Sequence, residues 1–388
     1  MAAAEPGNQP SVAAHDDAAV LRRLSTLDRF LPLWILLAMV GGLLLGRALP
    51  AIQDILDAVK VGQTSLPIAL GLLMMMYPVL AKVHYEDMSR VTGDRPMLWS
   101  SLVLNWVIGP ALMFTLAWVF LYDYPEFRTG LIVIGLARCI AMVLIWNDLA
   151  CGDREAGALL VAINSVFQVL AYALLGTFYL EILPGWLGLP TEDAAFSTWE
   201  ITKSVLIFLG IPLAAGYLTR RTLRPRRGAD WYDNRFLPRI GPWALYGLLF
   251  TIVIMFALQG DAILNDPLSV ILIAIPLLAY FGIMWSVSFV VGRRARLGYP
   301  KTATLAFTAA GNNFELAIAV SIGVWGVTSG EALAGVIGPL IEVPALVGLV
   351  YVSLWLRRRL TWKRTAEQTS VAGPSPRAQQ HPDDVVEP

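Results

Sequence analysis

Gly311-Asn312-Asn313-Phe314-Glu315-Leu316 interrupts an apolar run that extends over 302–327. Two amides and a carboxylate in such a run break its helical reading. An ionisable group in hydrocarbon costs roughly 3 kcal/mol on insertion scales and persists mainly where it faces a cavity, a partner or a substrate. An earlier run, 130–150, is broken in the same way by Arg138-Cys139-Ile140-Ala141-Met142 and goes on into Trp146-Asn147-Asp148. The two interruptions place a thiol and a carboxylate in a polar site at mid-membrane depth.

Composition agrees with this reading. Of 388 residues 56% are hydrophobic and only 15% are charged, with 13 Trp and a mean hydropathy of +0.61, whereas soluble domains carry about 25% charged residues. The chain reads as an all-α, polytopic membrane protein. Its net charge of zero gives no basic surface for nucleic acid. Two cysteines, Cys139 and Cys151, neither form a disulfide framework nor match a zinc spacing. Residues 1–25 are polar, with acids where a signal peptide would be basic. They read as a disordered tail, as do residues 361–388.

Apolar stretches of about 20 residues are the length a bilayer requires. They occur near 30–49, 63–81, 97–121, 130–150, 157–181, 203–219, 242–259, 268–292, 302–327 and 332–356. With the N-terminus inside, cytoplasmic segments hold 24 of the 29 basic residues, including a basic loop at 220–239. Outer loops hold Arg47, Lys60, Arg128 and Lys203, and Arg138 lies within a span. Both termini are therefore expected in the cytoplasm. A cut near residue 200 leaves five spans on each side (26–200 and 201–360), so any duplication is inverted. In each half the interrupted span is the fourth of five, a pattern that points to the binding site of a transporter.

Several polar residues accompany the interruptions. Glu342 lies near Pro344 and either lines the pathway or satisfies backbone donors freed by the break. Asn147 caps a helix end or faces the pathway. Asn164 and Gln168 share a helix face, for interhelical bonds or for the pathway. Arg138 either acts on the thiol, which requires a broken helix, or pairs with Glu315 or Glu342, or snorkels to a lipid headgroup. Trp186, Trp199, Trp231 and Trp243 read as interfacial anchors. Hydrolase and zinc-protease motifs are absent, and His15, His84 and His381 fall in tails or loops, which argues against an enzyme.

Five runs carry a family resemblance: Tyr77-Pro78-Val79-Leu80-Ala81-Lys82-Val83; Ala137-Arg138-Cys139-Ile140-Ala141-Met142 through Trp146-Asn147-Asp148-Leu149-Ala150; Asn164-Ser165-Val166-Phe167-Gln168; Asn312-Asn313-Phe314-Glu315-Leu316-Ala317; and Gly338-Pro339-Leu340-Ile341-Glu342-Val343-Pro344. Over residues 25–360 the chain resembles the arsenical-resistance permeases, which belong with the bile acid, arsenite and riboflavin transporters. The resemblance implies ten transmembrane helices in two inverted five-helix repeats, with the fourth and ninth broken and crossed. It also implies an essential thiol at Cys139 and an essential membrane acid at Glu315.

The expectation that follows is a cell-membrane antiporter that exports arsenite and admits protons, without a cofactor. Antimonite and oligomeric state are left open. Trivalent arsenic is soft and exchanges hydroxyl for thiolate, so Cys139 is the expected ligand, with Asn312, Asn313 and Arg138 around the substrate and Glu315 carrying the proton. The rival on the same fold is a sodium-coupled organic-anion symporter, which has no use for the thiol.

Overall fold

The computed structural model describes residues 30–61, 64–83, 95–140, 142–190, 198–265 and 267–362. Residues 1–25, most of the C-terminal tail, His84 and Ala141 lie outside the described residues.

A two-residue antiparallel hairpin, β1 (Lys60–Val61) with β2 (Thr64–Ser65), is the one departure from helix among the described regular elements. The first five apolar stretches become α1 (Leu31–Ala48), α3 (Leu66–Ala81), α4 (Arg95–Phe120), the pair α5 (Pro125–Leu136) and α6 (Met142–Leu149), and α7 (Arg154–Trp186), with the short α2 (Ile52–Asp57) after α1. The second five become α8 (Thr198–Arg227), α9 (Leu237–Asn265), α10 (Pro267–Arg294), the pair α11 (Gly298–Ala310) and α12 (Phe314–Trp325), and α13 (Gly330–Arg359). Six helices are long and apolar enough to cross a membrane, and α1, α3 and α12 are shorter apolar helices. The chain is a multi-pass membrane protein.

The stretch 220–239 is not a loop. α8 continues through Arg227 and ends at Gly228, whose φ of 89° stops the helix, and the single turn Ala229–Trp231 then leads towards α9. Hydropathy registers only apolar residues, whereas arginine is a good helix former and extends a helix into water without an apolar signal.

Proline shapes the helices from within. Four turns widen to π geometry, at Leu104–Ile108, Phe178–Ile182, Leu206–Gly210 and Tyr232–Phe236. Each ends two residues before a proline: Pro110, Pro184, Pro212 and Pro238. Proline lacks the amide hydrogen and its ring crowds the carbonyl four residues back, so the preceding turn opens.

The helices sort into two bundles. In the first, α9 packs along α1 and α3, and α3 packs on α8. Glycine lets these backbones approach closely: a Cβ on Gly42 would stand 2.5 Å from the Val253 carbonyl, and one on Gly247 would stand 2.8 Å from the Gly71 carbonyl. Small residues serve this purpose where lipid removes the hydrophobic drive between helices. In the second bundle α10 packs on α4, α11 and α13, while α13 covers α5 and α12, and α7 packs on α11. The bundles meet where α7 and α12 lie against the N-terminal part of α8. Leu44, Leu70, Leu170, Leu174 and Tyr351 are exposed on the outer surface, as are Trp186, Trp199 and Trp243.

Candidate functional site

Both breaks fall in the second bundle and are paired with each other. The chain leaves α5 at Leu136 and α11 at Ala310, and the two short extended segments run antiparallel with Arg138 opposite Asn312. Cys139 N donates to Gly311 O at 3.3 Å, and Asn313 N donates to Ala137 O at 3.1 Å. Backbone groups stripped of helical partners inside a membrane must be satisfied internally, and here each break satisfies part of the other.

Extended backbone sends successive side chains to opposite faces, so Arg138 and Cys139 diverge. The Arg138 guanidinium is fully buried and donates to Tyr280 Oη at 2.8 Å, to Ala309 O at 3.4 Å and to Gly135 O. Gly135 and Ala309 lie at the C-terminal ends of α5 and α11, where the helix dipole is negative. The cation is thus held between two helix ends and a phenol, and among the described residues no carboxylate pairs with it. Its backbone N–H donates to Gln168 Oε1 from α7.

On the opposite face Cys139 is 4% exposed. A Cβ on Gly311 would lie 3.1 Å from Cys139 Cβ and 3.7 Å from Glu342 Oε1, so the bare Gly311 lets the thiol and the α13 carboxylate approach the same stretch of backbone. Glu342, 1% exposed, accepts from Asn312 N at 3.3 Å and thereby occupies a donor freed by the break. Glu315, half-buried in the first turn of α12, is within electrostatic range of both Cys139 and Glu342. Asn313 caps α12, its Oδ1 accepting from Leu316 N at 3.0 Å.

The amides around the crossing have spare capacity. Asn312 Oδ1 and Nδ2, Asn313 Nδ2, Gln168 Nε2, Asn164 Nδ2 and Arg138 Nε are buried and have no hydrogen-bond partner among the described residues. Asn164 Oδ1 does accept from Trp106 Nε1, at 3.2 Å. Buried polar atoms are paired in the large majority of cases. A cluster of exceptions, offering donors and acceptors together, suits a polar guest.

Asn147 lies elsewhere. Its Oδ1 accepts from the Thr304 hydroxyl at 2.7 Å and its Nδ2 donates to Asp153 O at 3.2 Å, which ties the end of α6 to α11 and to the start of α7. Asp148 makes an ion pair with Arg154 at 2.5 Å. One residue of the site has no forewarning in the sequence: Tyr280 sits inside an apolar helix, and its only signal is a hydroxyl within a span. No group of three His, Cys, Asp or Glu side chains able to hold a metal ion occurs among the described residues.

The sequence matches the Sodium Bile acid symporter family over residues 69–266. With a membrane-embedded helical fold built around paired broken helices, this defines a transporter and not an enzyme. The chain is 59% identical, over 87% of its length and 91% of the relative's, to the arsenical-resistance protein Acr3 of Corynebacterium glutamicum. It is 31% identical to the Acr3 of Alkaliphilus metalliredigens, covering 84% of this chain and 92% of that one. An uncharacterized transporter of Synechocystis sp. is 35% identical, over 85% of this chain and 88% of its own. The chain belongs to the arsenical-resistance permease family.

Proposed function

We propose that this protein exports arsenite from the cytoplasm in exchange for protons, with Cys139 as the arsenic ligand. The observation that carries the reading is the lone buried thiol at the crossing of two broken helices, in a chain 59% identical to an arsenical-resistance protein. Arsenous acid, As(OH)3, would condense with the thiol to give Cys139 Sγ–As(OH)2 and one water, and hydrolysis on the far side would reverse the step. A single sulfur permits that reversal, whereas three would hold the soft centre too long for turnover. The remaining arsenic hydroxyls would find the unpartnered amides of Asn312, Asn313, Asn164 and Gln168. Arg138 then serves as the fixed cation that binds the two breaks together.

Arsenous acid is neutral near neutral pH, so a membrane potential alone does not expel it. Glu315, in the first turn of α12 beside the thiol, is the proton carrier in this reading, and Glu342 holds the break. The fold is read as ten crossings in two inverted halves, 26–200 and 201–360, with α5/α6 and α11/α12 as the broken fourth and ninth spans and both termini in the cytoplasm. One parallel between the halves supports this: the helix after each broken pair is capped by a side chain, Asp153 Oδ1 accepting from Ala156 N and Ser329 Oγ accepting from Ala332 N.

The test is uptake of labelled arsenite into everted vesicles with the pH gradient and the potential imposed separately. Cys139→Ser is expected to lower uptake to that of vesicles lacking the protein, and wild-type uptake by this variant overturns the ligand role. Glu315→Gln is expected to abolish acceleration by a pH gradient, and gradient-driven accumulation in that variant overturns the coupling role. The family match to sodium bile acid symporters favours one rival, a sodium-coupled organic-anion carrier. Sodium-dependent anion uptake that survives Cys139→Ser would establish it instead.

A further inference from the structure

On the outer surface, where α7 of the second bundle faces α8 of the first, runs a furrow of about 680 Å³. Val166 and Val169 form one wall, and Leu206, Gly210, Leu213 and Tyr217 form the other. The α8 residues recur at intervals of three or four, so they make a straight stripe along one helix face. The volume lies within the roughly 300–1,000 Å³ range of small-ligand pockets, yet the walls are almost wholly aliphatic.

The cytoplasmic end of the stripe is of different chemistry. One turn beyond Tyr217 stands Arg221, whose Nη1 donates to Tyr217 Oη at 2.8 Å. The Arg221 guanidinium also lies 5.9 Å from the centre of that ring. Both side chains are exposed, and Arg221 makes no ion pair among the described residues. Its neighbour Arg224 is instead engaged by Asp233 at 3.8 Å. Arg226 and Arg227 add exposed positive charge one turn further on.

We infer that this furrow is a binding site for one anionic phospholipid of the cytoplasmic leaflet, with an acyl chain along Leu206 to Tyr217 and the phosphate on Arg221 and the Tyr217 hydroxyl. Charge complementarity selects the occupant. A basic residue at the headgroup level attracts anionic lipid, and the aliphatic stripe runs from it towards the bilayer interior, as an acyl chain does. The far side of the same turns of α7 carries Asn164 and Gln168, and Gln168 holds the Arg138 backbone. The bound lipid therefore fills the seam between the two bundles, one helix away from the crossing.

Native mass spectrometry of the full-length protein, titrated with phosphatidylglycerol and separately with phosphatidylcholine, tests the site. Wild type is expected to retain one phosphatidylglycerol at least tenfold more strongly than phosphatidylcholine. Arg221→Gln should remove that preference, Arg221→Lys should restore much of it, and Ala214→Trp, which fills the furrow, should weaken retention of both lipids. Arg359→Gln, at the cytoplasmic end of α13, is the control and should leave the preference intact. Glycerol 3-phosphate, a headgroup without chains, should not compete. Equal retention of the two lipids by wild type, an unchanged preference in Arg221→Gln, or equal loss in Arg359→Gln would each overturn the site. The readout is binding, so failure here is separable from failure of arsenite transport.

Discussion

Both bundles hold helices together in lipid over close glycine contacts, and the second adds a cluster of amides unpartnered among the described residues. In α1, α3, α8 and α9 the contacts are close backbone approaches over glycine, as at Gly42 and Gly247. In the second bundle a Cβ on Gly130 of α5 would likewise stand 3.0 Å from the Glu331 carbonyl of α13. Around the paired breaks, however, the contacts are polar, and several buried amide atoms are left unpartnered. Glycine contacts leave little room for a guest, whereas unsatisfied amides are a standing capacity for one. In the proposed function, the difference separates a supporting body from a binding body within one chain.

The largest expected effect that would break this contrast is on transport. Cys139→Ser changes one buried atom, so the thermal midpoint of the purified protein should stay within a few degrees of wild type while arsenite transport falls to background. A large loss of stability would make the thiol a packing residue. Next comes Gly42→Leu in the supporting bundle, which forces side-chain atoms against the Val253 carbonyl. It should lower stability by about 3 kcal/mol, as overpacking does, read as unfolding in detergent, with transport per folded molecule preserved.

Asn147→Ala, within the binding bundle but away from the crossing, removes the bonds to Thr304 and Asp153 and should cost about 1–2 kcal/mol. Its transport defect should follow the amount of folded protein in the membrane. The smallest effect on stability belongs to Asn312→Ala. Among the described residues its side-chain amide has no hydrogen-bond partner to lose, so stability should change by less than about 0.5 kcal/mol, while arsenite uptake falls several-fold. A stability loss there as large as that of Asn147→Ala would show that the amide is structural and would erase the contrast.

The position of the crossing was legible because polar residues in apolar runs have few uses, and both Arg138-Cys139 and Gly311-Asn312-Asn313 fall within the breaks. What those residues touch was not legible. The fate of Arg138 depends on the extended backbone that turns it away from Cys139 towards Tyr280 and two helix ends, and this pairing joins residues about 170 positions apart, such as Arg138 and Ala309. Expected partners of opposite charge were displaced by carbonyls and a phenol, because a helix terminus supplies negative potential without a carboxylate. The helical course of 220–227 was hidden for another reason: a solvated arginine helix has no apolar stripe to reveal it. The wide turns were in plain view as prolines, but their geometry follows only once the surrounding helix is known to continue.

Those widened turns have a mechanical consequence. Each removes a rung from the helical ladder without ending the rod, so α4, α7 and α8 each contain a compliant joint whose address is set by a single imino acid. In α8 the joint at Leu206–Gly210 lies where that helix passes from α12 towards α3, at the boundary between the supporting and binding bodies. An articulated rod at that boundary lets one body tilt against the other with its remaining helical turns intact. Alanine in place of Pro212 would restore the missing rung and stiffen the articulation.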